Sequence, residues 1–200
     1  MSLSKELLDA LYNQERLSMA EIAERLGCSQ NTIAYWMQKH DIPRRNISEA
    51  IYQLRNPDGD PFTIRMPETE EQREFFQLAI GLYIGEGKRA KHGEVAIANT
   101  DPRVVRAFVR FLCDICGVNM NDLFALINVF DDVNLETVEA YWEKVTGLPN
   151  SQFHKPTVRP SKGRTYTNKS EYGTVTVGVY NTKLHGLVME WCKEALEEYE

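Results

Sequence analysis

The sequence has no apolar run near the roughly 20 residues that a membrane-spanning helix needs, so no membrane partner is expected. Its first residues, Met1 to Glu6, contain no apolar targeting core, and the expectation is an intracellular, cytoplasmic protein. Cysteine is scarce. Cys28, Cys113, Cys116 and Cys192 show no disulfide-framework spacing, which fits a reducing compartment. Cys113 and Cys116 have a zinc-like separation, but no second pair or histidine lies near them in sequence. They sit in an apolar-patterned segment and read as core thiols. His40, His92, His154 and His185 have no metal-ligand spacing either. There is no repeat at a fixed period and no low-complexity tract. Positive charge is not in excess, with 23 Lys and Arg against 29 Asp and Glu and a net charge of −6. That total weighs against a nucleic-acid partner.

The distribution of charge matters more than the total. Residues 1–55 carry seven basic and seven acidic side chains. Residues 154–169 hold Lys155, Arg159, Lys162, Arg164 and Lys169 with no acid at all. That run reads as a basic arm able to meet phosphates. Lys88, Arg89, Lys91 and His92 form a second basic loop. With 42% apolar residues over 200 positions, the chain can bury a core in one or two domains. Three prolines and a Pro-Asp-Gly turn mark residues 56–68 as a linker. The expected domains are therefore 1–55 and 69–200.

In the first domain, residues 3–14 read as a helix with Leu7, Leu8 and Leu11 inward. Ser18 and Glu21 form a capping box for a second helix carrying Met19, Ile22, Ala23 and Leu26. Gly27 ends it. Ser29 caps a third, with Ile33, Trp36 and Met37 inward, and residues 46–55 suggest a short fourth with Ile47, Ala50, Ile51 and Leu54. Two short helices joined by a Gly-containing turn are a helix-turn-helix arrangement. The stretch 19–37 resembles the DNA-binding helix-turn-helix of resolvases, transposases and many bacterial regulators: Ala23 lets the helices cross, Gly27 makes the turn and Ile33 locks the last helix. The resemblance implies that the exposed residues of that helix, Gln30, Asn31, Thr32, Tyr35 and Lys39, face the major groove. Gln and Asn can pair bidentately with adenine, and Thr can touch a thymine methyl. Ser29 and Lys39 suit phosphates. Arg44 and Arg45, just beyond, suit the adjacent minor groove or a phosphate.

The second domain opens on a helix capped by Thr69 and Gln72. Its stretch 78–87 is apolar apart from glycines until Glu86. Helical spacing puts Leu78, Gly81, Leu82, Gly85 and Glu86 on one stripe. Each glycine costs roughly 1 kcal/mol of helix propensity relative to Ala, and close approach of a second helix is the usual compensation. Glu86, at the unfavourable end of the macrodipole, wants a cation or a metal. A strand over 94–100 follows, then a helix opened by Asp101 and Pro102 and running to Cys116. A strand over 123–130 leads to a helix from Asn134 to Gly147, and two more strands lie over 153–159 and 173–180. The last helix starts at Thr182, with Leu184, Leu187, Val188, Trp191, Ala195 and Leu196 inward.

This order, with Gly81, Leu82, Gly85, Glu86 and Gly87 in place, resembles the LAGLIDADG homing-endonuclease fold. Ala79 and Ile80 depart mildly, and Ile84 stands where the motif has its first acid. The segments 97–102 and 172–174 resemble LAGLIDADG-like proteins with an N-terminal helix-turn-helix. The resemblance implies an α+β chain: an all-α helix-turn-helix domain, then an α/β domain with an antiparallel sheet and helices on one face. A single motif implies a homodimer on double-stranded DNA, with Leu78, Gly81, Leu82 and Gly85 at the two-fold axis. The expected function is sequence-specific DNA binding by a regulator built on a degenerate endonuclease scaffold. The alternative is an endonuclease in which Glu86 of each subunit is the catalytic residue and the Mg²⁺ ligand, aided by lysines such as Lys155, Lys162 or Lys183. A third reading is a protein-interaction module.

Overall fold

The computed structural model describes residues 2–88, 93–161 and 170–197. The chain divides into two units between Asp60 and Pro61. Among the described residues the secondary structure is α+β, with eight α-helices and one four-stranded sheet.

The first unit is all helix. The hydroxyl of Ser4 caps α1 (Lys5–Asp9), which runs on as a wider π turn over Ala10–Gln14. Ser18 and Glu21 close the front of α2 (Met19–Leu26) reciprocally, and Gly27, at a left-handed φ of 63°, closes its back. Ser29 then caps α3 (Gln30–Lys39). Leu8, Leu11, Tyr12, Ile22, Ile33 and Met37 form the core of this unit. Leu7 was expected inward but is largely exposed, because the inward stripe follows positions 8, 11 and 12 and Leu7 lies on its flank. Asn46 and Glu49 box the start of α4 (Ile47–Arg55). Its apolar positions face out, with Ile47 80% and Leu54 82% exposed.

The second unit is built around α5 (Glu70–Glu86), capped by Thr69 and Gln72. Ala79, Ile80 and Tyr83 of α5 are buried. They meet β1 (Glu94–Asn99), β2 (Phe124–Phe130) and β4 (Thr174–Tyr180) through Val95, Ile97, Ile127, Val175 and Val177. Helices α6 (Pro102–Arg110), α7 (Leu135–Thr146) and α8 (Thr182–Glu197) contribute Phe108, Trp142 and Val188 to the same core. Leu196 of α8, expected inward, is exposed at the end of the helix. The segment expected to be a linker does not behave as one piece. Phe62 and Ile64 pack on the second core, and the Arg65 N–H donates to the Ile115 carbonyl at 2.8 Å. A Cβ on Gly117 would lie 2.1 Å from the Thr63 carbonyl oxygen, so glycine is required where this segment crosses.

The strand order is β1-β4-β2-β3, with β3 spanning Phe153–Arg159. The expected antiparallel sheet is corrected here. β1–β4 and β4–β2 are antiparallel, but β2–β3 is parallel. The physical reason is α7, which returns the chain between β2 and β3, as a parallel connection requires. Between Leu126↔His154 and Asn128↔Thr157 the register shifts, leaving Lys155 and Pro156 in a bulge. At the opposite edge Gly87 bridges Ile97, and the Lys88 N–H donates to the Ala96 carbonyl at 2.8 Å.

Candidate nucleic-acid interface

Three surfaces carry the residues that the sequence singled out. The first is the outer side of α3. Ile33 and Met37 are fully buried and fix its rotation. The side chains of Gln30, Asn31 and Tyr35 therefore point outward, with Tyr35 59% exposed. Ser29 is held by its cap, and its hydroxyl lies 2.9 Å from that of Thr32. Lys39 lies over the Trp36 ring, 4.6 Å from its centroid, and remains exposed. Arg44 is exposed, but Arg45 is not available in the same way. Its guanidinium lies 3.9 Å from the centroid of Tyr12 and donates to the carbonyls of Leu17 at 3.2 Å and of Tyr12. Within this unit Arg45 is thus engaged in intramolecular contacts. Its fork ties the segment after α3 to the π turn at Tyr12 and to Leu17, because backbone carbonyls and an aromatic face lie within its reach.

The second surface is the stripe of α5. Leu78 is 55% exposed, Gly81, Gly85 and Glu86 are exposed, and Leu82 is half-buried. Beyond the turns of its own helix, a Cβ added at Gly81 or Gly85 would meet no atom of the described residues within 4 Å, so none of them requires either glycine. Gly87 differs, since a Cβ there would lie 2.3 Å from the Tyr83 carbonyl oxygen. The cation nearest in sequence to Glu86 is engaged elsewhere, since Lys88 Nζ pairs with Glu94 at 3.0 Å. The Glu86 carboxylate is exposed and has no hydrogen bond or ion pair among the described residues. Among them, no three of His, Cys, Asp and Glu converge on a point.

The third surface is the sheet face turned away from the helices. Strand alternation and register bring Leu126, Asn128, Thr174, Thr176 and Arg159 together there. With Lys88 and Ala98 they line a shallow cavity of about 460 Å³. At one end of this face three rings stand in a ladder. Phe124 is stacked between Tyr180, at 4.4 Å and 11°, and His154, at 5.1 Å and 10°. Burial and the neighbouring Glu94 carboxylate push the Tyr180 phenol up, so it stays neutral. Asn128, Thr174, Thr176 and the ladder were not singled out from the sequence. The alternation in 124–130 and 174–180 was the available signal, but it does not say which strands pair.

Other expectations resolve individually. Lys155 is exposed in the bulge of β3, and Lys183 lies in the first turn of α8. Arg89, Lys91, Lys162, Arg164 and Lys169 lie outside the described residues. Cys116 is buried, which pushes its thiol well above the ordinary range, and the Cys113 Sγ lies 3.6 Å from the Met120 sulfur. Both are packing thiols. His40 reaches the Leu3 carbonyl at 2.8 Å. No family model, curated protein or solved structure matches the chain. Among the described residues no helix is long and apolar enough to cross a membrane.

Proposed function

We propose that the chain is a sequence-specific DNA-binding protein that works as a homodimer and regulates a locus. In this reading residues 1–55 are a helix-turn-helix reader. Residues 69–200 are a LAGLIDADG-like unit that supplies self-association and a second surface toward DNA. The observation that carries the reading is the outer side of α3. There the side chains of Gln30, Asn31 and Tyr35 are exposed, and those of Lys39 and Arg44 follow at its end. Side-chain amides on an exposed helix rotated by a buried Ile33 are the groups that recognise adenine edges in the major groove. Homodimerisation draws its support from the α5 stripe, whose glycines have no use within one chain.

The test is selection of duplexes from a random pool, followed by gel retardation. Retention of a defined sequence, weakened by Gln30→Ala and Asn31→Ala, is the expected result. Absence of binding to any duplex at low salt, where phosphate contacts are strongest, overturns the reading and favours a protein-interaction module. One observation favours a second reading: Glu86 is exposed on the same outward stripe as Gly81 and Gly85. Two such carboxylates across a two-fold axis would suit a Mg²⁺-dependent endonuclease. Double-strand cuts made in Mg²⁺ and abolished by Glu86→Gln would establish that reading in place of the regulator.

A further inference from the structure

Helix α4 presents its apolar side outward. Helical spacing puts Ile47, Ala50, Ile51 and Leu54 on one stripe, and all four are exposed, Ile51 to 46%. The helix is held to its unit by the opposite, polar side. There the Gln53 amide donates to the Arg16 carbonyl, and Tyr52 and Gln53 are half-buried. Just ahead of the helix the Arg45 N–H donates to the Tyr12 hydroxyl at 2.9 Å. A contiguous apolar stripe left outside in this way marks an interaction surface. Three features suit a second copy of the chain. The stripe is symmetric about its middle, so a two-fold axis at Ile51 lays Ile47 of one helix on Leu54 of the other. The ends of α4 are oppositely charged: Arg44 and Arg45 outweigh Glu49 at its start, whereas Asp58 and Asp60 outweigh Arg55 at its end. An antiparallel pair therefore sets unlike ends together, and the helix dipoles oppose as well. Residues 1–55 carry seven basic and seven acidic side chains, so two copies meet without net repulsion.

We infer that α4 is a self-association surface, on which the apolar stripe packs antiparallel against the same stripe of a second copy. The inference rests on the homodimer reading of the proposed function. The stripe is about 11 Å long and offers three large side chains, far fewer than the roughly 20–30 residues a side of a standard interface. Between chains already paired through α5, the two stripes meet at the high effective concentration of linked sites, and a small contact suffices. The pairing relates the two helix-turn-helix units by a two-fold axis, so their α3 helices would read an inverted repeat at one fixed spacing.

The experiment cross-links the full chain with a short bismaleimide matched to the roughly 8–10 Å between packed helix axes. Ile51→Cys is expected to give a covalent dimer joined at position 51, identified by peptide mass, above the background that the native cysteines set in the unaltered chain. Ile47→Cys and Leu54→Cys are expected to link to each other when the two proteins are mixed and equilibrated, and not to themselves. In an antiparallel pair two copies of either position lie about 9–12 Å apart along the axis. Ile47→Ser with Leu54→Ser is expected to weaken self-association in sedimentation velocity by roughly tenfold or more. Circular dichroism melting is expected to show the fold intact in each variant, because the stripe is exposed. Suppose the native chain sediments as a dimer but gives no product at position 51, or the double variant associates as tightly as the native chain. Either result overturns the inference, leaves the homodimer standing and assigns the stripe to a partner of another kind. Self-linking by Ile47→Cys and by Leu54→Cys overturns the antiparallel packing. A native chain that is monomeric at every concentration sinks the homodimer reading, and the α4 contact then survives only if the product at position 51 still forms.

Discussion

Replacing Gly81 and Gly85 together by alanine separates the chain's own needs from those of a partner. Beyond the turns of its own helix, neither glycine has a described atom within 4 Å of the position its Cβ would take, and both lie in α5. In an isolated chain the change brings only helix propensity. The gain is about 1 kcal/mol at mid-helix Gly81 and less at Gly85 in the last turn. A total between about 1 and 2 kcal/mol raises Tm by roughly 3–10 °C for a unit of this size. In the proposed dimer the same methyl groups meet a facing backbone, where overpacking costs about 1–3 kcal/mol per site. Since about 1.4 kcal/mol is tenfold in Kd, the dimer should dissociate at concentrations at which the native chain is paired. Sedimentation velocity over a concentration series measures the association, and melting at high dilution measures the monomer. The expected double variant is a more stable monomer that no longer dimerises. Unchanged association would refute the α5 interface. A lower Tm at high dilution would refute the claim that the chain itself leaves the glycines free.

Three other outcomes follow from the geometry. Asn31→Ala should cost about 1–3 kcal/mol of discrimination at one base of the selected duplex, read by competition binding, with no change in Tm because the side chain is exposed. Burial, with Cys192 and Glu94 adding to it, pushes the Tyr83 phenol up to about 12. A group whose folded pKa is raised gives stability that is complete below its ordinary value near 10 and is lost as pH climbs through about 12. Tyr83→Phe should therefore flatten part of the fall in Tm between those pH values, and an unaltered slope would disprove that role. Gly117→Ala, at a φ of 62° and against the Thr63 carbonyl, should destabilise the second unit by about 1–3 kcal/mol. It should also deprotect the Arg65 amide in hydrogen exchange.

Much of the fold was legible because it is local. Ser18 with Glu21, Thr69 with Gln72, and the caps Ser29, Asp101 and Asn134 act over three residues or fewer, and each starts the helix expected of it. Gly27 and Gly147 end helices in the left-handed conformation for the same local reason. What the sequence hid is non-local. The parallel β2–β3 pairing depends on where α7 delivers the chain, not on any residue within either strand. Phe62 and Ile64 sit in a proline-rich stretch that reads as solvent, yet they find a core some fifty residues on. Arg45 looks like a free cation until Tyr12 and the Leu17 carbonyl are brought beside it. The site divides along the same line. The outward face of α3 followed from helical period, whereas the Phe124, His154 and Tyr180 ladder needed three strands to be ordered first.

The two edges of the sheet limit how copies of this chain can assemble. At β3, Pro156 has no N–H to offer and Lys155 adds a charge, and the bulge they occupy bends the outer rim. At β1, Gly87 and Lys88 already occupy the outer hydrogen-bonding positions beside Ile97 and Ala96. Both rims therefore interrupt the straight ladder that a second molecule would extend. The proposed dimer uses the helical side instead, through α5, where a two-fold contact closes on itself after two copies.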